Sequence, residues 1–307
     1  MSTFFYILLN IILPIFVLVT IGFVVQKKFH LDIRTLTRLS MYVFIPSVLI
    51  TKIYEAKVSL QFFGTLFIYI MGIQLIMMIL GEGIPTLLKY PKSIKKCFSN
   101  SLLFFNSGNY GLPLVELVFK QDPIATTAQV FIMVIQNITT NTVGVFQAST
   151  GSSSRKEALK NVFSMPSMYV LVAVGIVKWT GITIPDPILV PLQYITNGFV
   201  GFALILLGVQ LGEIKFEFKV KDILISSFIR LILSPVIGFI LVQLLGVHGI
   251  LAKSLIIGAS TPTAVNTAII AKEFDNEPEY AAQMVFVSTV LSAITISTVI
   301  YIVTTYL

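Results

Sequence analysis

Two amides, two glycines and a proline interrupt an otherwise apolar run: Phe104-Phe105-Asn106-Ser107-Gly108-Asn109-Tyr110-Gly111-Leu112-Pro113. An uncharged amide donates and accepts, so Asn can hold a polar ligand without burying a fixed charge. In hydrocarbon such a break is tolerated only where the freed N–H and C=O groups are buried in protein or line a cavity. Gly258-Ala259-Ser260-Thr261-Pro262-Thr263-Ala264-Val265-Asn266 has the same character far down the chain. Thr261 is a good N-cap and Pro262 suits a first helical position, so a half-helix is expected to start there. Gly108 and Gly111 permit unwound backbone, and Pro113 opens the half-helix after it. If the two spans run in opposite directions, both second half-helices begin near the midplane and their positive ends converge. Each end carries roughly half a unit of charge and free N–H groups, which together make an anion site.

The expected ligand is therefore a small organic anion such as a carboxylate. The candidate substrate contacts are Asn106, Gly108, Asn109, Pro113, Thr261, Pro262, Thr263 and Asn266 at the breaks. Asn137 and Asn141 join them from the next span, where Gln136, Thr139, Thr140 and Thr142 also lie; such residues equally serve to bind helices together. Ionisable groups at membrane depth are costly and mark functional positions. Three are candidates for charge or coupling. Arg230 can attract an anion or pair with an acid. Glu82, between Gly81 and Gly83, is a candidate proton carrier. Glu116 follows Pro113 and lies either in the span or at its outer interface.

These residues need elements that hold them in a bilayer. The chain has 307 residues, 56% hydrophobic and 11% charged, against about 25% charged in soluble domains. Apolar runs near the length a bilayer demands recur throughout. Ten spans are expected, over about 4–26, 36–54, 62–88, 96–119, 124–147, 161–179, 188–211, 221–246, 250–271 and 280–306. The first lacks a positive leading segment and reads as a retained span. Ser149 to Glu157 is the most polar stretch, so residues 149–160 read as a cytoplasmic connector between five-span halves, 1–148 and 161–307. An odd number of spans per half makes any repeat inverted. Pro14 to Gly22 weakly echoes Pro166 to Gly175, and the interrupted span is fourth in each half. Lys and Arg collect at Lys27, Lys28, Arg34, Arg38, at Lys89 to Lys96, at Arg155 to Lys160 and at Lys215 to Lys221. Those loops are expected inside, which leaves both termini extracytoplasmic.

The stretch Asn106 to Pro113 resembles the signature of the auxin efflux carrier family, which includes plant auxin exporters and bacterial malonate or organic-acid permeases. Pro262 to Asn266 and Pro46 in Tyr42-Val43-Phe44-Ile45-Pro46-Ser47 are similar too, and the likeness covers essentially the whole chain. The resemblance implies an all-α polytopic membrane protein: ten transmembrane helices in two inverted repeats, with broken helices four and nine crossing as in sodium/proton antiporters and bile-acid symporters. It implies a scaffold and a transport domain, substrate near Asn109, Pro113, Pro262 and Asn266, and often a homodimer formed through the scaffold. The bile-acid relatives use an acid in the ninth span; here none precedes Glu273, which argues against a sodium site.

The functional expectation is a secondary active permease of the cell membrane, working by alternating access. Its partners are the lipid bilayer, a small organic anion and, as a candidate, the proton. The alternatives are a sodium-coupled organic-anion symporter and an intramembrane enzyme. No zinc-protease, serine-hydrolase or phosphate-loop motif supports catalysis or an ATP-driven pump. Nothing points to nucleic acid, a cofactor or a metal. The single cysteine, Cys97, forms no intrachain disulfide, and His30 and His248 make no ligand cluster.

Overall fold

The computed structural model describes residues 3–56, 58–149, 165–214 and 220–307. The connector expected at 149–160 lies almost wholly outside them. The described residues are helical apart from turns and one isolated antiparallel bridge. Among the described residues, six helices are long and apolar enough to cross a membrane: α1 (Thr3–Phe29), α2 (Ile33–Glu55), α3 (Leu60–Leu87), α8 (Asp186–Gly212), α9 (Asp222–Leu244) and α12 (Pro278–Tyr306). Shorter helices complete the set: α4 (Lys92–Leu103), α5 (Leu112–Val118), α6 (residues 123–148), α7 (Pro166–Thr180), α10 (Gly249–Ala259) and α11 (Val265–Glu273). Helix thus occupies most of every stretch expected to span.

Prolines inside these helices set their local shape. A proline lacks an N–H and its ring presses on the carbonyl four residues back. Pro14, Pro46, Pro113 and Pro235 each follow a five-residue π turn, at Leu8–Ile12, Ser40–Phe44, Ser107–Gly111 and Ile229–Leu233. Each turn has its middle residue four positions before the proline (Asn10, Tyr42, Asn109 and Leu231), so the wide turn gives the ring room. α6 also contains a π turn, Thr140–Gly144, without a proline. There Asn100 Nδ2 donates to the Gly144 carbonyl at 3.1 Å. A Cβ on Gly144 would lie 2.8 Å from the Phe104 ring.

Two groups of helices form around these features. In the first, α1 lies directly on α8. A Cβ on Gly22 would stand 2.0 Å from the Ile205 carbonyl oxygen, and one on Gly208 1.9 Å from that of Val19. Only glycine lets the backbones approach so closely, a common device of membrane helix pairs. Thr51 shares a 3.0 Å hydrogen bond with Thr196, and the Ile184 N–H donates to the Tyr54 hydroxyl, so α2 and the α7–α8 turn join this group. Asp32 caps α2, accepting from the Arg34 N–H and the Thr35 hydroxyl, and the latter bond chiefly holds its carboxyl below the usual range.

The second group contains α3–α6 and α9–α12. Tyr69 on α3 donates to the Leu255 carbonyl of α10 at 2.9 Å. Gln74 on α3 donates to Gln136 Oε1 and Thr139 Oγ1 of α6. Tyr110 meets Ser292 of α12 at 3.1 Å. The groups meet through an apolar cluster in which Val48, Leu49, Ile53, Phe199 and Ala203 pack with Leu112, Val130 and Val134. Beyond it, Lys52 of α2 pairs with Glu116 of α5 at 3.2 Å, both largely buried.

Candidate functional site

Between α4 and α5, and between α10 and α11, the chain leaves the helical path, and the two breaks meet. Phe105 and Thr263 form an antiparallel bridge. The Ala264 N–H donates to the Phe104 carbonyl at 2.9 Å, and the Asn106 N–H to the Pro262 carbonyl at 2.8 Å. Backbone groups released by one break are thus satisfied by the other, as burial in hydrocarbon requires.

The register differs from the sequence expectation in both breaks. Extended backbone covers Phe104 and Phe105, whereas Gly108–Gly111 belong to the π turn. The second half-helix of the later break begins at Val265 rather than Thr261. Thr261 is no N-cap: its hydroxyl turns back to the Gly258 carbonyl at 2.8 Å and closes the preceding helix. Thr263 is held away from capping too, donating to the Ser101 carbonyl at 3.0 Å.

Negative and positive helix ends are separated at the crossing. The C-terminal carbonyls face Arg230, which is fully buried. Its guanidinium donates to the Leu102 carbonyl at 3.0 Å, the Thr261 carbonyl at 3.1 Å, the Ser234 hydroxyl at 2.7 Å and the Ala259 carbonyl. It also lies 4.8 Å from the centre of the Phe105 ring. The roughly half-unit negative charges at the ends of α4 and α10 are answered there by one cation. The Arg230–Glu82 pairing conceivable from sequence does not form. Glu82 pairs instead with Lys95 at 3.5 Å and Lys96 at 2.7 Å.

The N-terminal ends face the other way, onto a cavity of about 80 Å³. Gly108 and Asn109 line it from the turn that leads into α5, and Val265 and Asn266 from the first turn of α11. N–H groups in a first helical turn have no intrahelical partner and point along the axis. Asn106, Asn137 and Asn141 line the same space, as do Gln136 and Thr140 of α6. Thr37 and Ser40 of α2, Ser167 of α7 and Gln210 of α8 close it from the other helix group. Three of its buried polar atoms, Thr37 Oγ1, Ser40 Oγ and Asn106 Nδ2, have no hydrogen-bond partner among the described residues. A buried polar atom left unpaired costs about 1–3 kcal/mol, so three around one cavity mark a place for a polar ligand. Asn109 Nδ2 reaches Gln210 Oε1 at 3.4 Å and connects the two groups of helices across the cavity.

Among the residues expected to contact substrate, Asn106, Gly108, Asn109, Asn137, Asn141 and Asn266 come together on this cavity. Pro113, Thr261, Pro262 and Thr263 do not line it; they shape the breaks behind it. Arg230, Glu82 and Glu116 also lie outside the lining. Thr37, Ser40, Ser167 and Gln210 escaped sequence reasoning, because a lone polar residue in a long apolar helix carries no distinguishing pattern. A second cavity of about 440 Å³ adjoins the first and shares Gln210 and Val265 with it. Glu213 and Lys272, paired at 3.2 Å, stand on its wall.

Residues 149–301 match the family model described as "Membrane transport protein". Over that segment, 153 of its 307 residues, the chain is similar to this transporter family. This match is consistent with the auxin efflux carrier resemblance carried by Asn106 to Pro113, a stretch that lies before the matched segment. An uncharacterized transporter of Methanocaldococcus jannaschii is 24% identical over 304 residues, covering 94% of this chain and 96% of the relative. An uncharacterized transporter of Methanothermobacter thermautotrophicus is 23% identical over 297 residues, covering 93% and 95%. A membrane transporter contacts a lipid bilayer along its apolar helices.

Proposed function

We propose that this transporter is a secondary active carrier of a small organic anion, with the anion bound in the cavity at the crossing. The single observation that carries the reading is the convergence of two half-helix N-termini, with Asn106, Asn109 and Asn266, on one cavity with unpartnered polar atoms. A carboxylate there accepts from first-turn N–H groups and amide side chains and sits where the helix dipoles favour negative charge. The helix pairing supports alternating access. α1, α2, α7 and α8 act as scaffold, and α3–α6 with α9–α12 carry the crossing past it. On this reading the chain forms ten spans in two inverted halves, 1–148 and 161–307. The cavity lies among the ends of α2, α7 and α8 that adjoin the Lys- and Arg-rich loops, so it is reached from the cytoplasm of a cell-membrane protein with outside termini. The Val48–Leu112 cluster and the Lys52–Glu116 pair then close the opposite side. A proton remains the candidate coupling ion, and a homodimer through the scaffold the candidate assembly.

The test is uptake of radiolabelled monocarboxylates and dicarboxylates into proteoliposomes. Saturable, gradient-sensitive flux is expected, and Asn109→Ala and Asn266→Ala should each reduce it at least tenfold while the protein keeps its melting profile. Each substitution removes one donor to a buried charged group, about 1.5–3 kcal/mol, and tenfold corresponds to 1.4. Undiminished flux in both variants removes the anion from this cavity.

A further inference from the structure

We infer that the cavity takes a monocarboxylate whose remaining polar group is uncharged, a small hydroxy or oxo acid, and rejects dicarboxylates. This rests on the proposed carrier reading and sharpens its substrate class. The reason is the count of charge around a small space. Among the described residues that line it there is no Lys, Arg, His, Asp or Glu. Arg230 is engaged by the carbonyls of Leu102, Ala259 and Thr261, Lys272 by Glu213 and Lys52 by Glu116. The favourable field for an anion comes from two helix ends, together roughly one positive charge. One carboxylate matches that. A second would be desolvated with no cation to answer it, which proteins avoid because an isolated buried charge is far costlier than a buried polar group.

The rest of the lining describes the other end of the ligand. Thr37 Oγ1 and Ser40 Oγ are buried, unpartnered hydroxyls on α2, facing the cavity from the helix group opposite the crossing. A hydroxyl donates and accepts, so the pair suits an alcohol or a carbonyl oxygen, and it brings no positive charge to offset a second carboxylate. Met133, Met165 and Leu206 supply apolar wall between these polar ends. At about 80 Å³ the space itself suits an acid of a few carbons, and a bulkier one would extend into the adjoining cavity of about 440 Å³.

The experiment is a thermal-shift titration of the purified full-length protein at pH 7 and constant ionic strength. The probes are 2-hydroxypropanoate, 2-oxopropanoate, propanoate, malonate and 2-hydroxypropanamide. The hydroxy and oxo acids should raise the melting temperature with half-saturation at least tenfold below that of malonate. Propanoate should be a few-fold weaker than they are, and Ser40→Ala with Thr37→Val should erase that difference without weakening propanoate. Malonate binding as tightly as the hydroxy acid, and still sensitive to Asn109→Ala, overturns the one-charge inference and leaves the anion-carrier reading standing. Equal binding of propanoate and the hydroxy acid overturns the assignment of the hydroxyls. Equal stabilisation by the uncharged amide, or none by any acid, overturns the carrier reading itself. An Arg introduced by Leu206→Arg should swing the preference towards malonate; persistence of the original order in a folded variant counts against charge as its cause.

Discussion

Replacing Arg230 by methionine should damage the protein more than any ordinary loss of a surface charge. The side chain is fully buried and its nitrogens hold three backbone carbonyls from the two breaks. Methionine fills much of the space and removes the desolvation cost of a buried cation, which offsets part of the loss. The carbonyls, however, stay. Ala259 keeps a donor, because Ser234 Oγ also reaches it at 2.9 Å. Leu102 and Thr261 lose theirs. Two buried carbonyls left unpaired cost about 2–6 kcal/mol together, at about 1–3 kcal/mol each. The ends of α4 and α10 are at the same time left facing each other with like partial charges. At about 2–4 °C per kcal/mol, a melting temperature lower by on the order of 10 °C is expected in detergent. Substrate affinity should fall with it, since the N-terminal ends are set by the same crossing. Arg230→Lys should be intermediate, because an ammonium keeps the charge but not the planar fork that reaches several carbonyls. Differential scanning fluorimetry and substrate titration on the three proteins provide the assay. A methionine variant melting within about 2 °C of the parent, with unchanged affinity, would refute the assignment of Arg230 as the cation that holds the crossing.

Further outcomes follow from the packing and the ion pairs. Gly208→Ala places a Cβ 1.9 Å from the Val19 carbonyl oxygen and should lower stability by about 3 kcal/mol or more, measured as loss of folded protein on heating; a neutral effect contradicts the close α1–α8 contact. Glu82→Gln removes pairs with Lys95 and Lys96 that are partly solvated, so stability should change by less than about 1 kcal/mol and pH-dependent uptake should persist; uptake made pH-independent would restore Glu82 as proton carrier. Glu116→Ala leaves Lys52 largely buried without its carboxylate and should destabilise by about 3 kcal/mol, with Lys52→Met, Glu116→Ala recovering part of it in a double-mutant cycle; purely additive losses would mean that the pair is not coupled.

The positions of the two breaks were legible because proline, glycine and asparagine have no other use together in an apolar run. Their fine register was not. Thr261 and Pro262 have the form of a helix start, yet the Thr261 hydroxyl goes to Gly258 and the helix waits until Val265. The competing bridge between Phe105 and Thr263 draws the backbone straight for several residues, and that partner lies far away in the chain. Asn106, Asn109 and Asn266 were recognisable as site residues by type. Arg230 was recognisable as costly, but the sequence offers only side chains as partners, and the partners it has are carbonyls. Gln129 illustrates the same limit. Its amide donates to the Ser107 carbonyl at 2.8 Å and lies between Gly111 and Gly258, where an added Cβ would meet it at 2.5 Å and 2.7 Å. Nothing local in α6 distinguishes it from its neighbours.

The antiparallel contact between the breaks has a thermodynamic consequence for the proposed carrier. Two backbone hydrogen bonds, the Arg230 contacts and Gln129 tie α4, α5, α10 and α11 into one body, and separating them in a membrane would leave several polar groups dry at once. A ligand that dissociates at 1 mM contributes about 4 kcal/mol, less than that rupture would cost. Substrate therefore does not remodel its own floor. On that reading the amides and helix ends that bind it would be the same whichever side of the membrane they face, and only the contribution of Thr37, Ser40 and Gln210 would change as the crossing moves past α2 and α8. Such a carrier has closely similar affinities on its two sides and no built-in direction. Net flow, and its reversal, would then be decided by the gradients across the membrane.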